Sequence, residues 1–278
     1  MNLPDAARFT PDWLALREPA DAGARAAELL APLRAHLART AAAAPLVVRD
    51  LGCGTGAQAR WLAGRLPFPQ RWILHDRDPG LLARARASLP PSLPAEAREG
   101  DVTALTAADL AGTTSLVTAS ALLDLLTFDE VDDLAAAVTG AGCPALLTLS
   151  VVGRVTLHPY DPLDTVITAA FNDHQRRSTG GRRLLGPDAV TAAAGAFGRR
   201  GATVRTGPSP WRLGPGQAAL AAEWLRGWVA AACEQEPDLP GEEYLRRRLD
   251  ACAAGNLSVV VHHRDLLALP ASGGGEAS

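Results

Sequence analysis

Pro45-Leu46-Val47-Val48-Arg49-Asp50-Leu51-Gly52-Cys53-Gly54-Thr55-Gly56-Ala57 is the stretch that decides the fold. Leu46, Val47 and Val48 form a short apolar run of the kind that makes a buried strand, and it ends at Asp50. Three glycines in five residues then make a tight turn, where the missing side chains let a ligand lie against bare backbone. Ala57 to Ala63 reads as the helix that follows, so the turn aims its amides at whatever occupies the crevice.

Downstream, short apolar runs alternate with helical ones. Strands are expected at Arg71 to His75, Ala95 to Glu99, Leu116 to Ala119 and Ala145 to Val152, with helices at Pro79 to Leu89 and Asp129 to Thr139 between them. Such alternation requires crossover connections and hence a parallel sheet. After residue 186, a helix over 187–199, a strand near 202–206, helices over 216–233 and 241–253 and a last strand at 257–261 complete the pattern. No internal repeat or linker divides the chain, and 278 residues with 47% hydrophobic content suffice for one large core. The expected organisation is a helical cap over 1–44, a ligand-binding core over 45–157, a polar insertion acting as lid over 158–186, a C-terminal part of the sheet over 187–270, and a disordered Gly/Ser tail over 271–278.

Composition narrows the functional classes. The net charge of -3 offers no basic surplus to track a phosphate backbone, so a nucleic-acid partner is not expected. All 27 basic residues are arginine, which rules out a catalytic lysine or Schiff base and warns against reading each arginine as a chosen contact. Cys53, Cys143, Cys233 and Cys252 are scattered, without the spacing of a zinc site or redox pair. No leader pattern and no bilayer-length apolar run is present, so a cytoplasmic protein away from membranes is expected.

The glycine turn admits several ligands when taken alone. Its third glycine comes one residue too early for the G-x-G-x-x-G of a dinucleotide fold, which argues against a nicotinamide-dependent oxidoreductase. The phrase Asp50 to Gly56 resembles motif I of the class I S-adenosylmethionine-dependent methyltransferases. Arg71-Trp72-Ile73-Leu74-His75-Asp76 resembles their motif II, and Gly100-Asp101 resembles the pair that family places at the adenine.

That resemblance implies a Rossmann-like α/β fold with a mostly parallel, seven-stranded sheet, its last two strands making an antiparallel edge. It implies S-adenosyl-L-methionine as cofactor and a small, polar acceptor. Asp50 would orient the turn and the sulfonium-bearing amino acid, and Gly52, Cys53, Gly54 and Gly56 would hold the cofactor. Asp76, with Arg77 beside it, would meet the ribose, Asp101 and Val102 the adenine, and backbone groups of the stretch from Ser120 the methionine amino end, with the Ser120 side chain on the reactive side of the pocket. A shift of register would exchange Asp76 with Asp78, which reads otherwise as a helix cap before Pro79.

On the acceptor side the candidates are Asp124, after the fourth strand, and His174, in the polar run Phe171-Asn172-Asp173-His174-Gln175-Arg176. Histidine or aspartate can take a proton near neutral pH, and Arg176 could meet an anionic group. Arg17, Glu18 and Arg25 flank a helix that could close over the cofactor. His36, His75, His262 and His263 read as structural, and no spacing suggests a metal. A non-catalytic binding module on the same fold stays open, because fold does not fix function.

Overall fold

The computed structural model describes residues 9–40 and 45–271, so all but the first residue of the tail expected over 271–278 lies outside them. Two segments precede the sheet. Thr10 caps α1 (Pro11–Ala24), its hydroxyl accepting from Trp13 N, and a single turn at Ala27–Leu29 leads into α2 (Leu30–Thr40). Leu33 and Leu37, four residues apart, bury one face of α2 completely.

The alternating half follows the expected order. It runs β1 (Leu46–Leu51), α3 (Ala57–Ala63), β2 (Gln70–Asp76), α4 (Pro79–Ser88), β3 (Ala95–Glu99), α5 (Ala107–Leu110), β4 (Leu116–Ser120), α6 (Phe128–Gly140) and β5 (Ala145–His158). Strands β1 to β5 pair parallel in the spatial order β3-β2-β1-β4-β5. Helix α6 is opened by a capping box in which Thr127 and Glu130 satisfy each other's backbone amides.

The segment after β5 is more structured than its polar composition suggested. It contains α7 (Leu163–Gln175) and a small hairpin, β6 (Ser178–Thr179) with β7 (Arg182–Arg183). Next come α8 (Ala189–Arg199), β8 (Thr203–Pro208), β9 (Trp211–Leu213), α9 (Ala218–Gln235), α10 (Gly241–Ala253) and β10 (Ser258–Leu269). The sheet path continues β5-β10-β8. Strand β10 is antiparallel to both neighbours, and β9 adds a short eighth strand beside it. Thus β10 alone reverses direction, while β8 runs with the parallel set.

Both β5 and β10 are longer than their apolar cores indicated: the outer half of β5 pairs with the start of β10 as a ribbon beyond the parallel sheet, while β10 continues past Val261 into the sheet, between β5 and β8. Trp228, Tyr244, Leu225, Trp211 and Leu157 fill a third core there, in which α7, α9 and α10 pack on the ribbon. The other two cores lie on opposite faces of the sheet, one under α6 and α8 and one under α2, α3 and α4.

The ribbon carries one irregularity that matters for the site. Between Arg264↔Ser150 and Leu266↔Leu147 the register shifts, and Leu149, wholly buried, adopts φ 57. A β-branch-free but bulky residue in the left-handed region is strained, so its surroundings must hold it there. The Asp265 carboxylate does so by accepting Leu149 N at 2.7 Å, while its other oxygen accepts Ala26 N at 2.8 Å.

Candidate active site

The site is built at the carboxyl ends of the parallel strands, where an open α/β sheet presents its crevice. Gly52, Gly54 and Gly56 all have positive φ, so the turn after β1 uses the freedom only glycine has. A Cβ on Gly52 would come within 3.1 Å of Leu122, and one on Gly56 within 3.3 Å of Ala85 Cα. The first keeps the turn open to the crevice and the second lets it pack against α4.

A cavity of about 610 Å³ opens over these strand ends. Its floor is Gly52 to Thr55 after β1, Asp76 to Asp78 after β2, Gly100 to Thr103 after β3 and Ser120 to Leu122 after β4. The expected groups Gly52, Cys53, Gly54, Asp76, Arg77, Asp101, Val102 and Ser120 are therefore brought together on one wall.

Asp76 binds the walls to each other. One of its oxygens accepts Gly54 N at 2.8 Å and the other Asp78 N at 3.0 Å, leaving a further lone pair on each. Asp78 caps α4, as expected before Pro79, accepting from Gly80 N and Leu81 N. Asp101 spends one oxygen on the amide and hydroxyl of Thr103 at 2.9 and 2.8 Å. The chain then leaves β4 through Ala121, another left-handed residue (φ 51), whose amide donates to Thr148 O.

Four expected site residues stand elsewhere. Asp50 is wholly buried beneath the turn and does not line the cavity; Thr118 Oγ1 donates to one oxygen at 2.8 Å and the other oxygen is unpaired. Burial pushes its carboxyl up to about 7, against the Thr118 hydrogen bond and Arg25. Gly56 lies behind the turn as the left-handed residue that opens α3. Asp124 sits behind Leu122 and Leu125, one oxygen unpaired, with burial raising its pKa.

His174 is the fourth. It is buried behind the wall and joins two residues that do line the cavity, Arg177 and Glu234. Arg177 can only donate, so its contact of 3.0 Å makes Nδ1 the acceptor, and Nε2–H then donates to Glu234 at 3.1 Å. Arg176 is turned away from the cavity into a bidentate pair with Asp188 at 2.7 and 3.1 Å, so the anion contact expected of it is replaced by an internal one. Asn172 donates to Gly153 O and fixes α7 to β5.

The hairpin closes one side of the cavity. Arg182 holds it down, forking onto Glu130 at 2.9 and 2.6 Å, and Leu185 N donates to Leu126 O. Helix α1 closes another. Glu18 takes a bidentate contact from Arg60 at 2.7 and 2.6 Å, and Arg17 pairs with Asp21, which also accepts Trp211 Nε1 at 2.8 Å. Arg25 follows α1 directly, buried, one N–H donating to Ser120 Oγ at 3.2 Å and its face over Trp61 at 5.3 Å.

Sequence reasoning passed over Glu234, and gave Arg25 no more than a place near a lid. Arg177 stands in the polar run that sequence reasoning singled out, but as one arginine among 27 it received no role of its own. The structural histidines were legible: His75 and His263 are buried, and burial pulls their pKa values down to about 4 and about 3. Among the described residues no three His, Cys, Asp or Glu form a metal-holding group, all four cysteines are free, and no helix is long and apolar enough to cross a membrane.

Residues 48–141 match the family model described as a methyltransferase domain. That span is similar to a methyltransferase domain, and the fold around it is the Rossmann-like one of the class I methyltransferases. The matched span holds the glycine turn, Asp76, Asp101, Ser120 and Asp124. The cyclopropane synthase MmaA2 of Mycobacterium tuberculosis superposes with a TM-score of 0.51 at 13% identity, over 94% of each chain, and so shares the methyltransferase fold. An S-adenosylmethionine-dependent methyltransferase of Geobacter sulfurreducens superposes with a TM-score of 0.45 at 15% identity, over 94% of this chain and 98% of that one. No curated protein matches the sequence.

Proposed function

We propose that the protein transfers a methyl group from S-adenosylmethionine to a small, polar acceptor in the cytoplasm. The observation that carries this reading is the continuity of the cavity, which runs from the strand-end wall to a second wall bearing Arg177, Ser178 and Glu234. In this reading the free lone pairs of Asp76 accept from the ribose hydroxyls, and Asp101 with the Val102 amide meets the adenine edge. Gly52, Gly54 and Ser120 hold the methionyl end, and Asp50 supports the turn from below.

The bound cofactor supplies an electrophilic methyl group on a positively charged sulfur. The chain's own contribution is alignment: Leu122, Leu125, Leu126 and Leu184 exclude water from the path between the two walls. Positioning of this kind lowers a barrier by on the order of 7–11 kcal/mol in well-oriented reactions. Arg177 and Glu234 orient the acceptor, and His174 orients both of them through its two ring nitrogens. Glu234 is also the carboxylate placed to receive a proton from an acceptor that must lose one. Asp124 and His174, both behind the wall, act as support.

Two measurements test the reading. Calorimetry with S-adenosylhomocysteine is expected to show stoichiometric binding, and incubation with methyl-labelled S-adenosylmethionine and a fractionated metabolite extract is expected to label a small polar product. Absence of binding would overturn the cofactor assignment. Binding without label in any fraction would favour a non-catalytic module instead.

A further inference from the structure

The second wall of the cavity carries an arginine whose chelating edge is free. In a guanidinium, Nε–H and Nη2–H point the same way and form the edge that grips two oxygens at once, with Nη1 on the opposite side. Arg17 and Arg182, which also line the cavity, spend that edge on protein carboxylates: Arg17 on Asp21 at 3.0 and 3.2 Å, Arg182 on Glu130 at 2.9 and 2.6 Å. Arg176, turned away from the cavity, does the same with Asp188. Arg177 differs. Among the described residues its side chain bonds only to His174, and both contacts leave from Nη1, to Nδ1 and to the backbone oxygen, each at 3.0 Å.

That arrangement aims the free edge. His174 is buried behind the wall, so an Nη1 tied to it turns the Nε/Nη2 edge the other way, toward the cavity that Arg177 lines. Its charge is uncompensated as well. Among the described residues no carboxylate pairs with Arg177, and Glu234 is reached only through His174, which is neutral because its Nδ1 accepts. The Glu234 side chain is also 74% exposed, so water screens it. Beside this charge the wall is apolar. Leu184, whose amide donates to Arg177 O, and Leu125, whose carbonyl accepts from Arg182, both line the cavity.

One free fork with one positive charge matches a carboxylate, which offers two coplanar oxygens and one negative charge. A phosphate monoester would bring more negative charge, and Arg17 and Arg182 are already paired. We infer that the acceptor is a carboxylic acid with an apolar body, anchored as its anion on the Nε/Nη2 edge of Arg177 and methylated at another of its atoms. The inference rests on the methyltransferase reading above and names the class of acceptor that reading leaves open. Two charge-assisted hydrogen bonds draw on the lone pairs with which a carboxylate would attack, so the carboxylate serves as the anchor and the product keeps it.

The test uses the full chain and the labelling reaction. A metabolite extract is separated by anion exchange near pH 7 into retained and unretained fractions, and each is incubated with native protein and methyl-labelled S-adenosylmethionine. Label is expected in the retained fraction. The product should still bind the exchanger near pH 7 and leave it at about pH 2, where a carboxylic acid is neutral and a phosphate is not. With that fraction as acceptor, Arg177→Met is expected to raise KM by ~10–100-fold, and Arg177→Lys by less, since the charge stays and the fork is lost. Calorimetry should give the same S-adenosylhomocysteine affinity for all three proteins, which also reports that each is folded.

Label confined to the unretained fraction, a product that no longer binds or that stays bound at about pH 2, or an unchanged KM in Arg177→Met would overturn the carboxylate anchor while leaving the methyltransferase reading intact. Failure of the native protein to bind S-adenosylhomocysteine, or to label any fraction, would overturn both. If Arg177→Met does not fold, Arg177→Lys decides: a raised KM supports the anchor, and an unchanged one refutes it.

Discussion

The carboxylate of Asp76 accepts the backbone amide of Gly54 at 2.8 Å, so the acid that ends β2 and the glycine turn that follows β1 are one mechanical unit. Its second oxygen holds Asp78 N and thereby the start of α4. Asp76→Ala is therefore expected to act twice. Cofactor affinity should fall by about 1–3 kcal/mol through lost ribose contacts, and stability should fall as two amides lose their acceptor. Calorimetry and thermal melting read the two effects separately, and full affinity in the variant would sink the ribose assignment.

Gly56 tests the turn without touching the ligand. Its φ of 86 and the 3.3 Å approach of Ala85 Cα leave no relaxed place for a side chain. Gly56→Ala should destabilise the fold by about 1–3 kcal/mol. Chemical denaturation measures this; a neutral substitution would mean that the turn adapts.

Asp50 sets a pH dependence whose sign is fixed. Burial holds its carboxyl at about 7, whereas the unfolded chain ionises it near 4. Between these values the folded state binds the extra proton, so this group's contribution to stability declines as pH rises from about 4 to about 7. The difference in melting temperature between the native protein and Asp50→Asn should shift in favour of the variant across that window. A difference that does not vary with pH would refute the raised pKa.

His174 joins Arg177 to Glu234, and its removal should reach the acceptor but not the cofactor. His174→Ala is expected to raise the acceptor KM by ~10-fold, on the scale of one lost charge-assisted contact, with S-adenosylhomocysteine affinity unchanged. Loss of cofactor affinity in this variant would show that the two walls are not independent.

Asp265 bears on Arg25 through the backbone. Its two oxygens serve the buried amides of Ala26 and Leu149, and each amide left unpaired costs about 1–3 kcal/mol. Asp265→Ala should destabilise by ~2–5 kcal/mol in denaturant melts. A loss below about 1 kcal/mol would mean that the left-handed Leu149 has other support.

Much of the site was legible because its chemistry is local. A glycine turn, a strand ending in Asp76 and a cap at Asp78 are settled within a few residues by φ, by hydrogen bonding over two or three positions and by burial period. The strand lengths of β5 and β10 were not legible, since the outer half of β5 is stabilised by β10 and by α7, α9 and α10, and the inner half of β10 by β5 and β8, rather than by their own pattern. Asp124 and His174 were chosen for their chemistry, yet which side of a wall a residue faces depends on packing from other elements.

The sequence by itself determined the crossover α/β order, the glycine turn and the acids at the strand ends, because backbone conformation and hydrophobic period act between neighbours. Only the tertiary structure decided that Asp50 lies beneath the turn, that Arg177 and Glu234 face the cavity with His174 between them, and that Arg25 meets Ser120 across 95 positions of chain. Those choices belong to long-range contacts. Burial selects which of many arginines and carboxylates leave solvent, and only the folded chain shows which of their hydrogen bonds are still to be made.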